Sequence, residues 1–362
     1  MPANKMFVKE GFKLGAFSSN CSAGMTVSSI PERWVNSWDN NLKLAQMLDD
    51  AGMDFILPVA RWIGCGGDIN FQGNVLETMT WAAALLAKTK DISVFSTTHA
   101  AFNHPVVAAK QIATMDQIGN GRAGLNIVAG WNKPEFKALG LDLPDDHETR
   151  YGYAQEWFDI VSKIWADEGP FDYKGKYFNL EGIQGQPAPV NGVVPVLNAA
   201  GSGVGRDFAT RNANYLFTPA IDLSRSATEI QDLIGQAAGL GRDVGVLTFS
   251  HVTCRPTEKE AKEYRQHVID HADWKGVETL MDMLFANAQS FPHDLLKQMK
   301  NSMALGHGAF ELTGTPRQVA DRLIELQKAG FAGTTLSFVD YVEEFPYFRD
   351  EVLPLLTEAG IR

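Results

Sequence analysis

Residues 105–129 read PVVAAKQIATMDQIGNGRAGLNIVA, and this stretch decides the fold. Pro105 suits the first position of a helix, where its missing N–H costs nothing, and an apolar stripe runs from there to Ile118. Gly119 stops the helix. The turn Gly119-Asn120-Gly121-Arg122 leads straight into Ala123–Ala129, a short apolar strand. A helix followed at once by a buried strand is one unit of a parallel sheet, and the same unit recurs on both sides. Upstream lie a strand at Phe12–Phe17, a helix at Ser37–Ala51, a strand at Phe55–Val59, a helix at Leu76–Lys88 and a strand at Ile92–Thr97. Downstream come a helix at Glu148–Trp165, a strand at Val193–Asn198 and a helix from Gly205. Strands at Asn214–Phe217 and Val246–Cys254 follow. A capping box, Thr315-Pro316-Arg317-Gln318, then opens a helix ahead of a last strand, Thr334–Val339. Eight strands alternating with helices predict an α/β fold, a closed (β/α)₈ TIM barrel, with all of 1–362 in one domain. Two segments exceed the repeat and read as insertions at the C-terminal mouth: about 131–146 after strand 4, and about 256–314 between strands 7 and 8. Trp274, Phe285 and Phe291 in the second read as helix packing.

The composition suits a folded enzyme: 45% of the 362 residues are hydrophobic and 21% charged. A formal charge of −11 argues against nucleic acid, which needs a basic stripe to neutralise phosphates. No apolar run is long enough to span a membrane, and the polar start, Met1 to Gly11, does not resemble a secretory signal. Cys21, Cys65 and Cys254 are odd in number and far apart, so neither a disulfide framework nor a zinc ribbon is expected, and a cytoplasmic location fits.

In such a barrel, polar residues at strand C-termini are the first candidates for chemistry. Asn126 is an amide within an apolar strand, and Thr97 closes the strand before it. A buried amide needs a partner, which neighbouring backbone could equally provide. Ala199-Ala200-Gly201-Ser202-Gly203-Val204-Gly205-Arg206 follows a strand and opens a helix, so its free N–H groups could cup an anion or simply make a tight turn. The stretch is neither GxGxxG nor a P-loop, and a dinucleotide site is not supported. His267 and His271 are four apart but lack a third ligand, so no metal site is expected.

The run from Gly121-Arg122 through Asn126 and Val128 to Gly130-Trp131 resembles the signature of the bacterial-luciferase-like flavin monooxygenases. Lys133-Pro134-Glu135-Phe136 narrows the resemblance to the branch of pyrimidine oxygenase and dimethyl sulfone monooxygenase. Leu57 to Arg61, Gly66-Gly67, residues 74–77, residues 109–116, Arg150-Tyr151, Gly314-Thr315-Pro316 and Val352-Leu353-Pro354 match in the same order. The resemblance implies a two-component enzyme. FMN, supplied as FMNH2 by a separate NAD(P)H:flavin reductase, would react with O2 and oxidise a small organic substrate through a flavin peroxide. An N-heterocycle, sulfone or sulfonate would fit, with possible cleavage of a carbon–heteroatom bond.

By position, the resemblance assigns catalytic roles to Asn126, Thr97 and Leu57, at the flavin edge and the oxygen pocket. It assigns cofactor contacts to Arg61, Asn126, Ala129, Tyr151, Gly201 and Ser202, and substrate contacts to Trp131 and Glu135. Arg61 stands where pyrimidine oxygenase has Lys, and Ala129 where the family usually has Ser or Thr. A homodimer or higher homo-oligomer is implied as well. The rival readings are an F420-dependent oxidoreductase of the same fold and a non-catalytic flavin-binding protein.

Overall fold

The computed structural model describes residues 4–285 and 293–362. The chain runs through β1 (Lys13–Phe17), α1 (Trp38–Asp50), β2 (Phe55–Leu57), α2 (Thr78–Leu86), β3 (Ser93–His99), α3 (Pro105–Ile118) and β4 (Ala123–Val128). Next come α4 (Lys133–Ala138), α5 (His147–Ala166), β5 (Phe171–Lys174), β6 (Asn179–Ile183), β7 (Val196–Ala199), α6 (Gly203–Asn212), β8 (Tyr215–Phe217) and α7 (Leu223–Gly239). The last part holds β9 (Gly245–Cys254), α8 (Glu258–Asp270), α9 (Trp274–Phe285), α10 (His293–Gly306), β10 (Phe310–Gly314), α11 (Pro316–Lys328), β11 (Gly333–Ser337), α12 (Tyr341–Glu351) and α13 (Leu353–Glu358). Strands β1, β2, β3, β4, β7, β8, β9 and β11 are the eight expected from sequence. They pair in parallel in that order, and the ring closes through β9–β11 and β11–β1.

The lumen is filled by a size rule that follows from strand register. Gly15 is paired with Phe55, Gly124 with Phe95, and Gly245 with Tyr215. In each pair the aromatic ring lies over its glycine, so that a Cβ on the glycine would meet a ring atom at 2.6–2.8 Å. Phe55 and Phe95 also meet edge to face at 5.8 Å. Above this layer Phe17, Phe217 and Phe249 form a second one, with centroids 5.3–6.0 Å apart. Alternate side chains of the same strands (Leu14, Ile56, Val94, Leu125, Val196) pack outward against the helices.

The Gly121-Arg122 turn works at the closed end of the barrel. Asn120 and Gly121 take the left-handed backbone (φ 49° and 86°). Buried Arg122 then donates to the carbonyls of Leu86, Thr89 and Ile92 and to Thr89 Oγ1, at 2.7–3.0 Å, tying the end of α2 to the start of β3.

The structure departs from the sequence reading in three places. The 131–146 segment contains a short helix, α4, started by Pro134 near its N-terminus. The β5–β6 hairpin was not anticipated, because its residues are mostly polar and exposed and give no apolar run. Within the 256–314 segment, Phe310–Gly314 is a strand, β10, which extends the sheet along β9 beyond the reach of β8. Part of that segment, including Phe291, lies outside the described residues, as does the side chain of Phe285. Trp274 is 39% exposed.

The register rule makes a direct prediction. Gly15→Ala places a methyl against the Phe55 ring and the Phe55 carbonyl, which a closed barrel cannot relieve, and should cost about 1–3 kcal/mol of stability by urea unfolding.

Candidate active site

A cavity of about 330 Å³ opens at the C-terminal mouth. Phe17, Phe217 and Phe249 are its floor, and Leu57 and Met25 supply apolar wall. Thr97, His99, Asn126 and Val128 contribute one side, Arg61 and Trp131 the rim, and Ala199-Ala200-Gly201 the far end. Among the described residues no carboxylate lines it, and Arg61 is its one charged side chain.

Thr97 and Asn126 are register partners on β3 and β4, both more than nine-tenths buried. Thr97 Oγ1 donates to the Pro58 carbonyl at 2.6 Å, just past the end of β2. With its only proton committed, the hydroxyl must accept from Asn126, and Asn126 Nδ2 donates to it at 3.1 Å. This fixes the amide orientation and leaves Asn126 Oδ1 buried without a partner among the described residues. An orphaned acceptor in a cavity wall is costly unless a ligand N–H meets it.

Arg61 is also buried. Its Nε and Nη2 donate to Gln72 Oε1 at 3.2 and 2.9 Å, Nη1 has no partner among the described residues, and the guanidinium lies 5.1 Å from the centroid of the half-exposed Trp131. Gly130 (φ 118°) makes the turn that brings Trp131 to the rim, and a side chain there would strike Phe136. Glu135 does not line the cavity. Its buried Oε1 accepts from Trp62 N at 2.8 Å and Ile63 N at 3.4 Å, which anchors the loop carrying Arg61. Ala129 does not line it either, because its side chain packs outward among the helices.

At the far end Ser202 caps α6, its hydroxyl accepting from Gly205 N at 3.1 Å and keeping its own proton free to donate. Tyr151, from α5, packs on Phe208. Its hydroxyl sits where a Cβ on Gly205 would be, 2.5 Å away, so the first turn of α6 is open only because residue 205 is glycine. Gly201 and Gly203 have open space where a Cβ would project. Burial raises the Tyr151 pKa and keeps it a neutral donor. The structure thus gathers Leu57, Arg61, Thr97, Asn126, Trp131 and Gly201 around one cavity, with Tyr151 and Ser202 at the helix that borders it.

Sequence reasoning missed several contributors. Pro58 acts through its carbonyl, and Gln72 sits in a loop with positive φ, so neither leaves a periodic signal. His307 lies beyond α10, in a segment with no readable motif, yet it lines the cavity. His99, the last residue of β3, lines the cavity too, stacked on Phe102 at 4.7 Å. His267, by contrast, is engaged with Glu32 at 3.2 Å. Among the described residues no cluster of three potential metal ligands occurs.

The mouth cavity, its floor and its helix-bordered end define an α/β-barrel enzyme with a site for an extended ligand. Residues 12–333 match the family model of luciferase-like monooxygenases, and the chain belongs to that family. It is 30% identical to the FMNH2-dependent dimethylsulfone monooxygenase of Pseudomonas fluorescens over 97% of this chain and 96% of that one. It is 29% identical to pyrimidine monooxygenase RutA of Acinetobacter baylyi over 95% of each. The crystal structure of riboflavin lyase RcaE, with modified FMN and riboflavin, superposes with a TM-score of 0.86 at 21% identity, covering 97% of this chain and 92% of that one.

Burial and then the nearby Arg61 push His99 down to about 3, and burial does the same to His251, with Arg255 and Arg265 adding to it. In the unfolded chain these imidazoles titrate near 6.5. Below that pH the unfolded state binds protons that the folded state refuses, so stability is full above about 6.5 and falls as pH drops towards 3. The urea midpoint should be lower at pH 5 than at pH 7, and His99→Phe, which preserves the stack on Phe102, should reduce that difference.

Proposed function

We propose that the protein is a two-component monooxygenase that uses FMNH2 and O2 to oxidise a small organic substrate. The observation that carries this reading is the Thr97–Asn126 pair. It leaves one buried acceptor, unpaired among the described residues, in the wall of a cavity lined by Leu57 and three phenylalanines, with a helix N-terminus at the other end. These residues fit reduced FMN. Asn126 Oδ1 can accept an N–H of the ring, and the α6 N-terminus with Gly201, Ser202 and Tyr151 can take the phosphate. When bound, reduced FMN supplies the electrons that activate O2. The chain's own work is to position and to dry. Thr97 locks the Asn126 amide, Leu57 and the floor exclude water, and Glu135 holds the 62–63 loop in place beside the site.

The two relatives, a dimethylsulfone monooxygenase and a pyrimidine monooxygenase, favour sulfur- or nitrogen-containing substrates, and cleavage of a carbon–heteroatom bond fits that class. The FMNH2 dependence of the dimethylsulfone monooxygenase supports delivery of reduced flavin by a separate NAD(P)H:flavin reductase. A cytoplasmic homo-oligomer with all of 1–362 in one domain completes the proposal. Among the described residues no helix is long and apolar enough to cross a membrane.

The test is O2 uptake and product formation when the protein, photoreduced FMN and a panel of sulfones, sulfonates and N-heterocycles meet air. Asn126→Ala should lower oxygenated product about 100-fold while FMN affinity is largely kept. Undiminished product would remove Asn126 from the chemistry, and no product from any panel member would sink the oxygenase reading. A second variant probes the phosphate end. Gly205→Ala drives a methyl into the Tyr151 hydroxyl and should weaken FMN while sparing riboflavin, which has no phosphate.

A further inference from the structure

We propose that Arg61 is the anchor for an oxyanion head group on the substrate, so that this enzyme is specific for small organic anions, sulfonates or carboxylates. The proposal rests on the monooxygenase reading for the reaction but on separate residues for the specificity.

Arg61 is 7% exposed and lines the cavity. A buried cation is normally compensated by a carboxylate, because desolvation of a lone charge is expensive. Arg61 has no such partner: among the described residues no carboxylate makes an ion pair with it, and none lines the cavity. Glu135, on the neighbouring loop, has turned its Oε1 to the backbone of Trp62 and Ile63 instead. The partner Arg61 does have, Gln72 Oε1, is neutral. It orients the guanidinium through Nε and Nη2 and leaves Nη1 without a partner among the described residues.

Gln72 is itself held in place. Its Nε2 donates to the Gly24 carbonyl at 2.9 Å and to Ser18 Oγ at 3.2 Å, so the amide cannot turn away. Trp131 supports the other face of the arrangement by stacking near the guanidinium. The result is a rigidly held guanidinium with one nitrogen, Nη1, left over beside the cavity, and arginine so held is suited to planar or tetrahedral oxyanions. The other titratable side chains of the cavity, His99 and His307, stay neutral and bring no rival charge. The flavin phosphate has its own place at the α6 end, assigned above to Gly201, Ser202 and Tyr151. The missing counter-ion therefore arrives with the substrate, whose apolar part would lie between Trp131 and the Leu57 wall.

The test compares isosteric ligands that differ in charge. Protein loaded with oxidised FMN is titrated calorimetrically with propanesulfonate, butyrate and the neutral methyl propyl sulfone, and FMN affinity is followed separately by flavin fluorescence. The two anions should bind more tightly than the sulfone. Arg61→Gln should weaken the anions about tenfold or more beyond any effect on the sulfone, while Arg61→Lys should keep most of the preference for charge. If neither anion outbinds the sulfone, the proposal is overturned. It is also overturned if Arg61→Gln lowers FMN affinity and leaves the anion-to-sulfone ratio unchanged, which would assign the guanidinium to the flavin ring. Should Arg61→Gln not fold, the wild-type ratio decides alone. None of these readings needs turnover, so they stand apart from the O2-uptake test: oxygenation of the neutral sulfone alone would retain the monooxygenase and discard the anion anchor.

Discussion

The pairing of a glycine with an aromatic residue across neighbouring strands is the constraint from which the rest of the molecule follows. Gly15 with Phe55, Gly124 with Phe95 and Gly245 with Tyr215 put an aromatic ring over each glycine and so fill the lower lumen. They leave no channel there, and they set the height at which Phe17, Phe217 and Phe249 can lie as a floor. Everything above that floor belongs to the site. Because strand register fixes each ring, it also fixes which residues emerge above it, and Thr97 and Asn126 come out side by side on adjacent strands.

The polar chemistry of the site is built by subtraction. Thr97 spends its proton on the Pro58 carbonyl, Asn126 spends an N–H on Thr97, and what remains is one acceptor oxygen in the cavity wall, unpaired among the described residues. Arg61 follows the same logic: Gln72 takes two of its donor groups, and one nitrogen remains. Each surplus group is held by neighbours that are themselves held, so the site is organised before any ligand arrives. Glu135 shows how a polar residue in the signature region can serve from outside the cavity, through the backbone of the loop it grips.

The eight barrel strands were legible because each is a short apolar run bounded by a turn signal, and strand–helix alternation leaves little topological choice. The β5–β6 hairpin was not, since exposed polar strands carry no hydrophobic period, and β10 was hidden inside a segment dominated by helical spacing. Within the site, Asn126 stood out as an amide among apolar neighbours, and the Gly201-Ser202 turn as a small-residue opening to a helix. Gln72, the Pro58 carbonyl and His307 had no such contrast, because their roles come from tertiary contacts between distant loops. The resemblance marked Glu135 as a substrate contact; only its hydrogen-bond partners show it gripping the 62–63 loop.

The chain carries a formal charge of −11, yet among the described residues the one charged side chain of its cavity is a guanidinium. The outer field and the inner one therefore act oppositely on an approaching anion. At a distance the acidic surface repels it; within the mouth Arg61 attracts it. Screening separates the two, because the Debye length is about 10 Å at 0.1 M salt and buried charges are screened much less than surface ones. Added salt thus lowers the barrier to arrival more than it weakens the hold. For such a molecule ionic strength is an accelerator of capture, the reverse of the behaviour of an enzyme whose whole surface is charged to draw its substrate in.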